Sequence, residues 1–216
     1  MKILPALAAS LLALTTVSAA ALDDASRVWL AHIQSRWAEI NYDFPVEQRE
    51  AAFSQLAKET ENAVAAEPQA AELRIWHGIV LSTWAGAKGG FGALKLVKQA
   101  KAELEQSLEL DPEALAGSAY TSLGSLYYQV PGWPVGFGDD AKAEEMLRKA
   151  LAINPDGIDP NYFYGDFLVR KERYAEAKAA LEKALAAPSR AGRARADEGR
   201  RAEARRLLES VQARLP

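Results

Sequence analysis

The residue types that most often do chemistry in proteins are scarce in this chain of 216 residues. It contains no cysteine, which excludes disulfides, thiolate zinc sites, iron–sulfur clusters and a cysteine nucleophile. Of the two histidines, His32 has no second histidine or glutamate at the spacing of a zinc motif. His77 immediately precedes a glycine in a helical segment, and we expect it to be a core residue. We therefore predict no metal ion and no cofactor.

Acidic residues occur in pairs, as in Asp139–Asp140 and Glu144–Glu145, but these pairs have a structural explanation. An aspartate before a helix caps its N-terminus, and acidic residues in the first turns interact favourably with the helix dipole. We expect the first pair to supply such a cap, and Asp159, which precedes Pro160, to do the same. The glycine-rich segment 86–92 lacks the Gly-Lys-Ser/Thr ending of a phosphate-binding loop. We predict that the protein is not an enzyme.

Half of the 18 aromatic residues lie in two short windows of the chain. They are Tyr120, Tyr127, Tyr128, Trp133 and Phe137, and then Tyr162, Phe163, Tyr164 and Phe167. Such clusters either line a binding surface or fill the space between packed helices. We keep both alternatives, with Tyr128 and Tyr162 as candidates for binding, and Phe163 and Tyr164 as candidates for the core.

The elements that must position these residues begin after an N-terminal leader. Lys2 is followed by an apolar stretch over residues 3–14 and by small residues at 18–20, a pattern typical of a signal peptide over residues 1–20. The stretch is shorter than the ~20 residues that span a bilayer, although a retained anchor is the alternative. Because lipoprotein acylation needs a cysteine, we predict a soluble, exported, periplasmic protein without a lipid anchor.

The rest of the sequence has the periodicity of amphipathic helices. One example is the apolar series Leu94, Val97, Ala100, Leu104 and Leu108. Runs that alternate with a period of two are absent from the sequence, and alanine, the best helix former, is abundant. The sequence therefore predicts an all-α chain.

Internal repetition is visible in the ends of three segments, 104–112, 147–155 and 181–188. Each ends in a proline, which cannot continue a helix but can begin the next one. A mid-helix glycine belongs to each of the three units, namely Gly78, Gly124 and Gly165. Glycine costs about 1 kcal/mol relative to alanine inside a helix, so its recurrence predicts a neighbouring helix too close for a side chain.

This pattern resembles the tetratricopeptide repeat, a unit of about 34 residues. In that family each unit forms two antiparallel helices. The segment Ile158 to Arg190 matches best, with Gly165, Ala177 and Ala184 at the family's small-residue positions. The resemblance implies a single-domain, all-α, TPR-like solenoid of helical hairpins. Its expected parts are a degenerate N-terminal helix pair (23–68), units of about 69–112, 113–155 and 156–190, and a capping helix of about 193–214.

The first two units are longer than the repeat requires and contain glycine-rich insertions. Segments 84–92 and 131–138 each combine a tryptophan with Gly-Phe-Gly. Exported repeat proteins with such insertions are similar to the TatT component family, the periplasmic partners of tripartite ATP-independent periplasmic (TRAP) transporters. That resemblance implies a protein that often self-associates and docks the transporter's substrate-binding component. It also implies that an apolar channel for a ligand can be present.

The repeat register predicts which residues face the concave surface and its edge. These candidate binding residues are Thr121, Ser125, Tyr128, Tyr162 and Asp166 on the concave face, and Trp84, Phe91, Trp133 and Phe137 in the two insertions. The concave positions carry no lysine or arginine, so we expect an uncharged, mostly aromatic groove rather than a carboxylate clamp. We predict that this groove binds a protein partner, and the alternative is a carrier or channel component for an apolar small molecule. We expect no nucleic-acid partner and no stable membrane insertion, whereas a homo-oligomer is possible.

The charge of the chain is unevenly distributed along its length. The last segment, 188–216, contains eight arginines and four acidic residues, whereas residues 21–187 carry a net charge of −8. An acidic body and a basic end can attract each other. The stretch from Arg190 to Arg206 is therefore either a solvated helix face, a contact with the acidic body, or a surface that binds an acidic partner.

Overall fold

The computed structural model describes residues 23–215, and the signal peptide predicted for residues 1–20 lies outside this range. The described part is all-α, as predicted, and contains no strand. Its helices are α1 (Asp24–Tyr42), α2 (Val46–Ala66), α3 (Ala71–Lys88), α4 (Gly90–Leu110), α5 (Ala114–Gln129), α6 (Asp140–Ile153), α7 (Ile158–Arg170), α8 (Tyr174–Ala186) and α9 (Ala194–Gln212). None of these helices has both the length and the apolar character needed to cross a membrane.

The helices pack as a series of hairpins, which confirms the predicted TPR-like solenoid. The most extensive contacts join α3 to α4, α5 to α6 and α7 to α8, and each hairpin also contacts the next one. At the C-terminal end, α9 packs against α7 and α8. Local sequence signals set two of the helix starts. Asp139 caps α6 by accepting hydrogen bonds from the backbone N–H groups of Ala141 and Lys142, and Asp23 caps α1 by accepting one from the Ser26 N–H.

The three repeated glycines hold the two helices of a hairpin in close contact. A Cβ atom added at each glycine would lie too close to the Cγ atom of a leucine on the partner helix. These distances are 2.7 Å between Gly78 and Leu104, 2.6 Å between Gly124 and Leu147, and 2.8 Å between Gly165 and Leu181. The prediction that a helix approaches each glycine too closely for a side chain is therefore confirmed.

The two glycine-rich insertions take different forms in the structure. The first one lengthens α3 and α4, which are separated only by Gly89. Gly89 and Gly90 both have positive φ angles (64° and 61°), a conformation that favours glycine, and they make the sharp reversal between the helices. The second insertion forms an irregular loop over residues 130–139. It is closed by a hydrogen bond from the Asp139 N–H to the Tyr127 carbonyl (2.9 Å).

The odd-numbered helices form a closed inner ring. Helix α1 contacts α3, α3 contacts α5, α5 contacts α7, and α7 contacts α9, which then returns to α1. The contact between the two ends of the ring includes an ion pair of 2.8 Å between Arg195 Nε and Asp43 Oδ2. It also includes the ring of Tyr42 against Gly199. This ring surrounds a space at the centre of the molecule.

Candidate functional site

The central cavity is the space inside the ring, and its volume is about 800 Å³. All five odd-numbered helices line it, together with the first turns of α2 and the connection between α8 and α9. Cavities of roughly 300–1,000 Å³ are typical of sites that enclose a small ligand. The fold therefore provides an internal site, and its lining decides what can bind there.

One side of the central cavity is aromatic. Trp37 lies between Tyr42 and Trp76, with edge-to-face contacts whose ring centroids are 5.9 and 5.8 Å apart. The indole Nε1–H of Trp37 donates a hydrogen bond of 3.0 Å to Thr83 Oγ1, which fixes the ring between α1 and α3. Edge-to-face pairs are favourable beyond the area they bury. These three rings, which we call the aromatic wall, form a fixed apolar surface.

Helix α5 contributes polar groups to the central cavity. Ser118, Thr121, Ser122 and Ser125 lie along its lining face. The helix begins with three left-handed residues, Leu115–Gly117, with φ angles of 48°, 53° and 74°. Such a conformation costs about 1–2 kcal/mol for each residue that is not glycine. The backbone that presents these hydroxyl groups is therefore strained at its start.

The central cavity is also lined by charged residues, so the expected uncharged groove is wrong. Its charged lining residues are Arg49, Arg190, Arg193, Arg200, Asp159 and Glu203. Three of the four arginines come from the C-terminal segment, which the ring closure brings back against the first helices. The repeat register did not predict them because Arg190 is the last residue of the third unit, and Arg193 and Arg200 follow it.

Asp159 binds two of these arginines. Its Oδ2 atom lies 2.7 Å from Arg190 Nη1, and its Oδ1 atom lies 2.9 Å from Arg200 Nε. Burial raises the pKa of Asp159, but the charges of Arg200 and Arg190 outweigh this effect and lower the pKa to about 2. The expectation that Asp159 caps α7 is wrong, since the capping position is occupied by Gly157. Asp159 instead joins α7 to the C-terminal segment.

The same two arginines have further carboxylate partners. Arg190 Nη2 lies 2.6 Å from Oδ1 of the buried Asp197, and Arg200 Nη1 lies 2.6 Å from Glu203 Oε2. The Arg200 guanidinium also lies 4.5 Å from the ring centroid of Tyr162. Arg190 and Arg200 thus hold the acidic body through Asp159, while Asp197 and Glu203 pair with them from within the C-terminal segment. Of the three interpretations of this stretch, contact with the acidic body is the one shown for these two residues.

Arg193 and Arg49 have no carboxylate partner within residues 23–215. The Arg193 guanidinium lies 4.9 Å from the ring centroid of Trp76, and its Nε atom is buried without a hydrogen-bond partner. Burial and the charge of Arg190 lower the pKa of Arg193. Arg49 uses its Nε–H to donate a hydrogen bond of 2.9 Å to the Phe44 carbonyl. Both side chains line the central cavity as cations without a paired anion.

Two of the nine candidate binding residues line the central cavity, namely Thr121 and Ser125. Tyr128 is buried, with 8% of its surface exposed, so the expectation that it is available for binding on the concave face is wrong. Its hydroxyl donates a hydrogen bond of 2.7 Å to Asp166 Oδ2 and joins α5 to α7. Tyr162 packs under Arg200 rather than into the cavity. Phe163, a candidate for the core, lines the cavity instead.

The aromatic residues of the two insertions do not line the central cavity, and they differ in exposure. Phe91 and Trp133 are 93% and 90% exposed. Phe137 packs edge-to-face on Tyr127 at 5.8 Å, and Trp84 is partly buried against the core with its indole Nε1 unpaired. Phe91 and Trp133 are therefore the two aromatic residues of the insertions that are available to a partner.

The sequence interpretation missed the aromatic wall and the unpaired arginines. One signal for the wall was present, because Trp76, Ile79, Thr83 and Gly86 recur at helical spacing and share the face of α3 that lines the cavity. The sequence contains no comparable signal for Arg49 and Arg193, because their places in the cavity lining depend on how the helices close the ring.

The histidines take structural positions, and the described residues contain no metal cluster. His77 is buried, as expected, and its Nδ1 atom forms a hydrogen bond of 2.7 Å with Thr60 Oγ1. His32 Nε2 lies 3.0 Å from Glu59 Oε2 at the surface. Between residues 23 and 215, no group of three or more histidine, cysteine or acidic residues could hold a metal ion. The cavity is thus equipped for binding through rings, hydroxyl groups and guanidinium groups.

Comparison with known proteins places the repeat in the C-terminal half of the chain. Residues 136–196 match the tetratricopeptide repeat family. This range includes α6, α7 and α8, where the sequence matched the repeat best. Proteins with such repeats generally bind protein partners and are typically scaffolds without catalytic activity, which supports an interaction role here.

Among solved structures, the chain is similar to two crystal structures of MamA. One has 19% sequence identity and a TM-score of 0.44, and the match covers 77% of this chain and 91% of that chain. The other has 18% identity and a TM-score of 0.44, with 87% and 90% covered. The search of curated proteins gave no match.

Proposed function

We propose that this protein is a non-enzymatic interaction protein that holds a segment of a partner protein in its central cavity. The observation that carries the proposal is the closed ring of helices around a cavity of about 800 Å³. A surface that encloses its ligand removes more area from water than an open groove does, and burial of apolar area drives association. The partly exposed Tyr42, Ile79 and Phe163 supply apolar contact area on the lining, because Trp37 and Trp76 are buried.

The hydrogen-bonding groups of the central cavity suit an extended peptide. A peptide brings unpaired N–H and C=O groups, which must find partners when they leave water. Ser122, Ser125 and Gln129 lie on the lining face of α5 and can offer such partners. The combination of rings on α1 and α3 with polar groups on α5 therefore matches a segment that has both apolar and polar parts.

A second surface for the same partner lies at the insertions. Phe91 and Trp133 are almost fully exposed, and large exposed aromatic side chains are enriched in protein–protein contacts. In this proposal the partner's segment occupies the central cavity while the partner's folded part contacts these two residues.

The signal peptide pattern and the two insertions support a more specific assignment. We assign the protein to the periplasm as a TatT-like component that binds a TRAP transporter protein. The basis is the sequence of residues 1–20 together with the paired Trp and Gly-Phe-Gly segments. Fractionation of the native cells, followed by cross-linking to transporter components, tests this assignment. Recovery of the protein only in the cytoplasm would contradict it.

A carrier of a small molecule is the second candidate function. The volume of the central cavity and the rings of Trp37 and Trp76 favour it. The charged residues of the lining do not suit a purely apolar molecule. Native mass spectrometry of the purified protein distinguishes the candidates, because a carrier would retain a bound small molecule.

The test of the main proposal blocks the central cavity without disturbing the exposed surfaces. Ser125→Trp adds a large side chain on the lining face of α5. We expect this variant to lose partner capture from a periplasmic extract while keeping the wild-type circular dichroism spectrum. The matched control is Ser210→Trp, which makes the same change at an exposed position of α9. Undiminished capture by the Ser125 variant would show that the partner does not use the cavity.

A further inference from the structure

We propose that the central cavity recognises a carboxylate group, and that Arg193 and Arg49 are the residues that bind it. The inference rests on the proposed function of the cavity as a binding site, and it names the chemistry of the ligand. The carboxylate can belong to a small organic acid or to a peptide, whether at its C-terminus or in an acidic side chain.

The lining of the central cavity carries more positive than negative charge. Four arginines and two acidic residues line the central cavity, so arginine is in excess. Asp159 and Glu203, with Asp197 behind the lining, are used by Arg190 and Arg200. With Asp197 counted, four arginines face three carboxylates, a net excess of one positive charge. The two arginines that have no paired carboxylate are Arg193 and Arg49.

Arg193 lies against an aromatic ring and is partly removed from water. Its guanidinium stacks on Trp76 at 4.9 Å, and it makes no ion pair with any residue of the described chain. Burial and the neighbouring charge of Arg190 lower its pKa, but an arginine stays protonated at neutral pH. The negative charges of Asp159 and Asp197 act on Arg193 and offset part of the cost of its burial, but neither carboxylate pairs with it. An anionic ligand that pairs directly with the guanidinium would offset the rest. The site thus favours a ligand that brings a negative charge.

Arg49 is the second arginine of the lining that has no paired carboxylate within the described residues. It lies on α2, and the hydrogen bond from its Nε–H to the Phe44 carbonyl holds the side chain beside the C-terminal end of α1. Its two terminal nitrogens make no hydrogen bond or ion pair within the described part of the chain. Tyr42 lies at the same end of α1 and is close enough to Arg193 for their charges to interact. Both arginines are therefore placed near the α1–α9 contact.

Guanidinium groups are well suited to this role. An arginine presents parallel N–H donors that match the two oxygens of a carboxylate, and charge-assisted hydrogen bonds of this kind are about twice as strong as neutral ones. Arg193 lies against Trp76, and Trp76 lies against Trp37 in the aromatic wall. A ligand that places its carboxylate at the arginines would thus place its apolar part on the aromatic wall.

The experiment compares free acids with their neutral amides. For small molecules the probes are octanoate and octanamide. For peptides they are a library of N-acetylated tetrapeptides with a free C-terminus and the same library as C-terminal amides. Binding to the full chain is measured by isothermal titration calorimetry. We expect the acid of at least one pair to bind more tightly than its amide by about tenfold or more.

Variants then assign the difference to the two arginines. Arg193→Gln and Arg49→Gln should each reduce the affinity for the acid by about tenfold or more and leave the affinity for the amide unchanged. Arg206→Gln, which removes the same charge from an exposed position of α9, should change neither. Thermal unfolding of each variant shows whether the fold is intact.

The outcomes separate this inference from the proposed function. Equal affinity for acid and amide would overturn the inference and leave binding in the cavity intact. A preference for the acid that survives both substitutions would also overturn it. If no acid or amide binds, the inference is wrong, and capture by the Ser125→Trp variant decides the proposed function independently. Binding by octanoate alone assigns a small acid, and binding by the free peptides alone assigns a peptide.

Discussion

At the scale of single residues, the structure distinguishes polar groups that hold the fold together from groups that are available for binding. The Tyr128–Asp166 hydrogen bond and the bonds of Asp159 to Arg190 and Arg200 join separate helices. Arg193 lies over the ring of Trp76, but within the described residues no carboxylate pairs with it. Residue type alone did not separate these roles. The roles differ in whether a carboxylate lies next to each arginine.

The buried His77 makes stability depend on pH. Burial lowers the pKa of His77 below the ordinary value of 6.5. As the pH falls below about 6.5, the unfolded chain binds a proton at this histidine before the folded protein does, so the free energy of unfolding falls with pH in this window. Urea unfolding at pH 7.5 and 5.5 measures the loss. We expect His77→Gln to show a smaller difference between the two pH values. An unchanged difference would mean that another group is responsible.

The two aromatic residues of the second insertion should respond differently to truncation. Trp133 is exposed, so Trp133→Ala should change the free energy of unfolding by no more than about 0.5 kcal/mol and should weaken partner capture. Phe137 packs against Tyr127, so Phe137→Ala should destabilise the protein by about 1–3 kcal/mol. Thermal unfolding and pull-down assays on both variants test this difference. Equal loss of stability in both would show that Trp133 is also a packing residue.

At the scale of elements, the contact between α1 and α9 converts a row of hairpins into a ring. Gly199 is essential to this contact, because the Tyr42 ring occupies the space where a side chain would be. The ion pair between Arg195 and Asp43 lies beside it. The capping helix therefore does more than cover the last hairpin, since it also completes the lining of the central cavity with Ala196 and Arg200.

A methyl group at Gly199 should open the ring. The Cβ atom of an alanine would lie 2.5 Å from Tyr42 Cδ1, so the packed Tyr42 ring or the two helices would have to shift. We expect Gly199→Ala to lower the free energy of unfolding by about 1–3 kcal/mol, despite the better helix propensity of alanine. The control is Gly86→Ala, because an added Cβ there has no neighbour within 4 Å. This control should gain about 0.5–1 kcal/mol. A gain in both variants, measured by urea unfolding, would contradict the importance of the Tyr42 contact.

At the scale of the whole molecule, the sequence was informative where the contacts are local. Gly78, Gly124 and Gly165 predicted the helix hairpins because each packs on the next helix in the chain. The lining of the cavity was not predictable in this way. The position of Arg193 over Trp76 depends on the return of α9 to α1, and contacts between residues so distant in sequence have no periodic signal. The sequence did not show that the first insertion is helical. Residues that favour helix on both sides of Gly89 extend α3 and α4 up to the turn.

The ring closure also changes how the molecule should unfold. In an open solenoid each repeat contacts only its neighbours, so its ends can fray while the middle stays folded. Here α9 packs on α1, and fraying at either end would break the same contact. The two ends therefore protect each other, and the chain should lose its structure in one cooperative step rather than repeat by repeat. Pairing of elements so distant in sequence also carries a large loop-closure entropy, which makes the meeting of α1 and α9 a late event in folding.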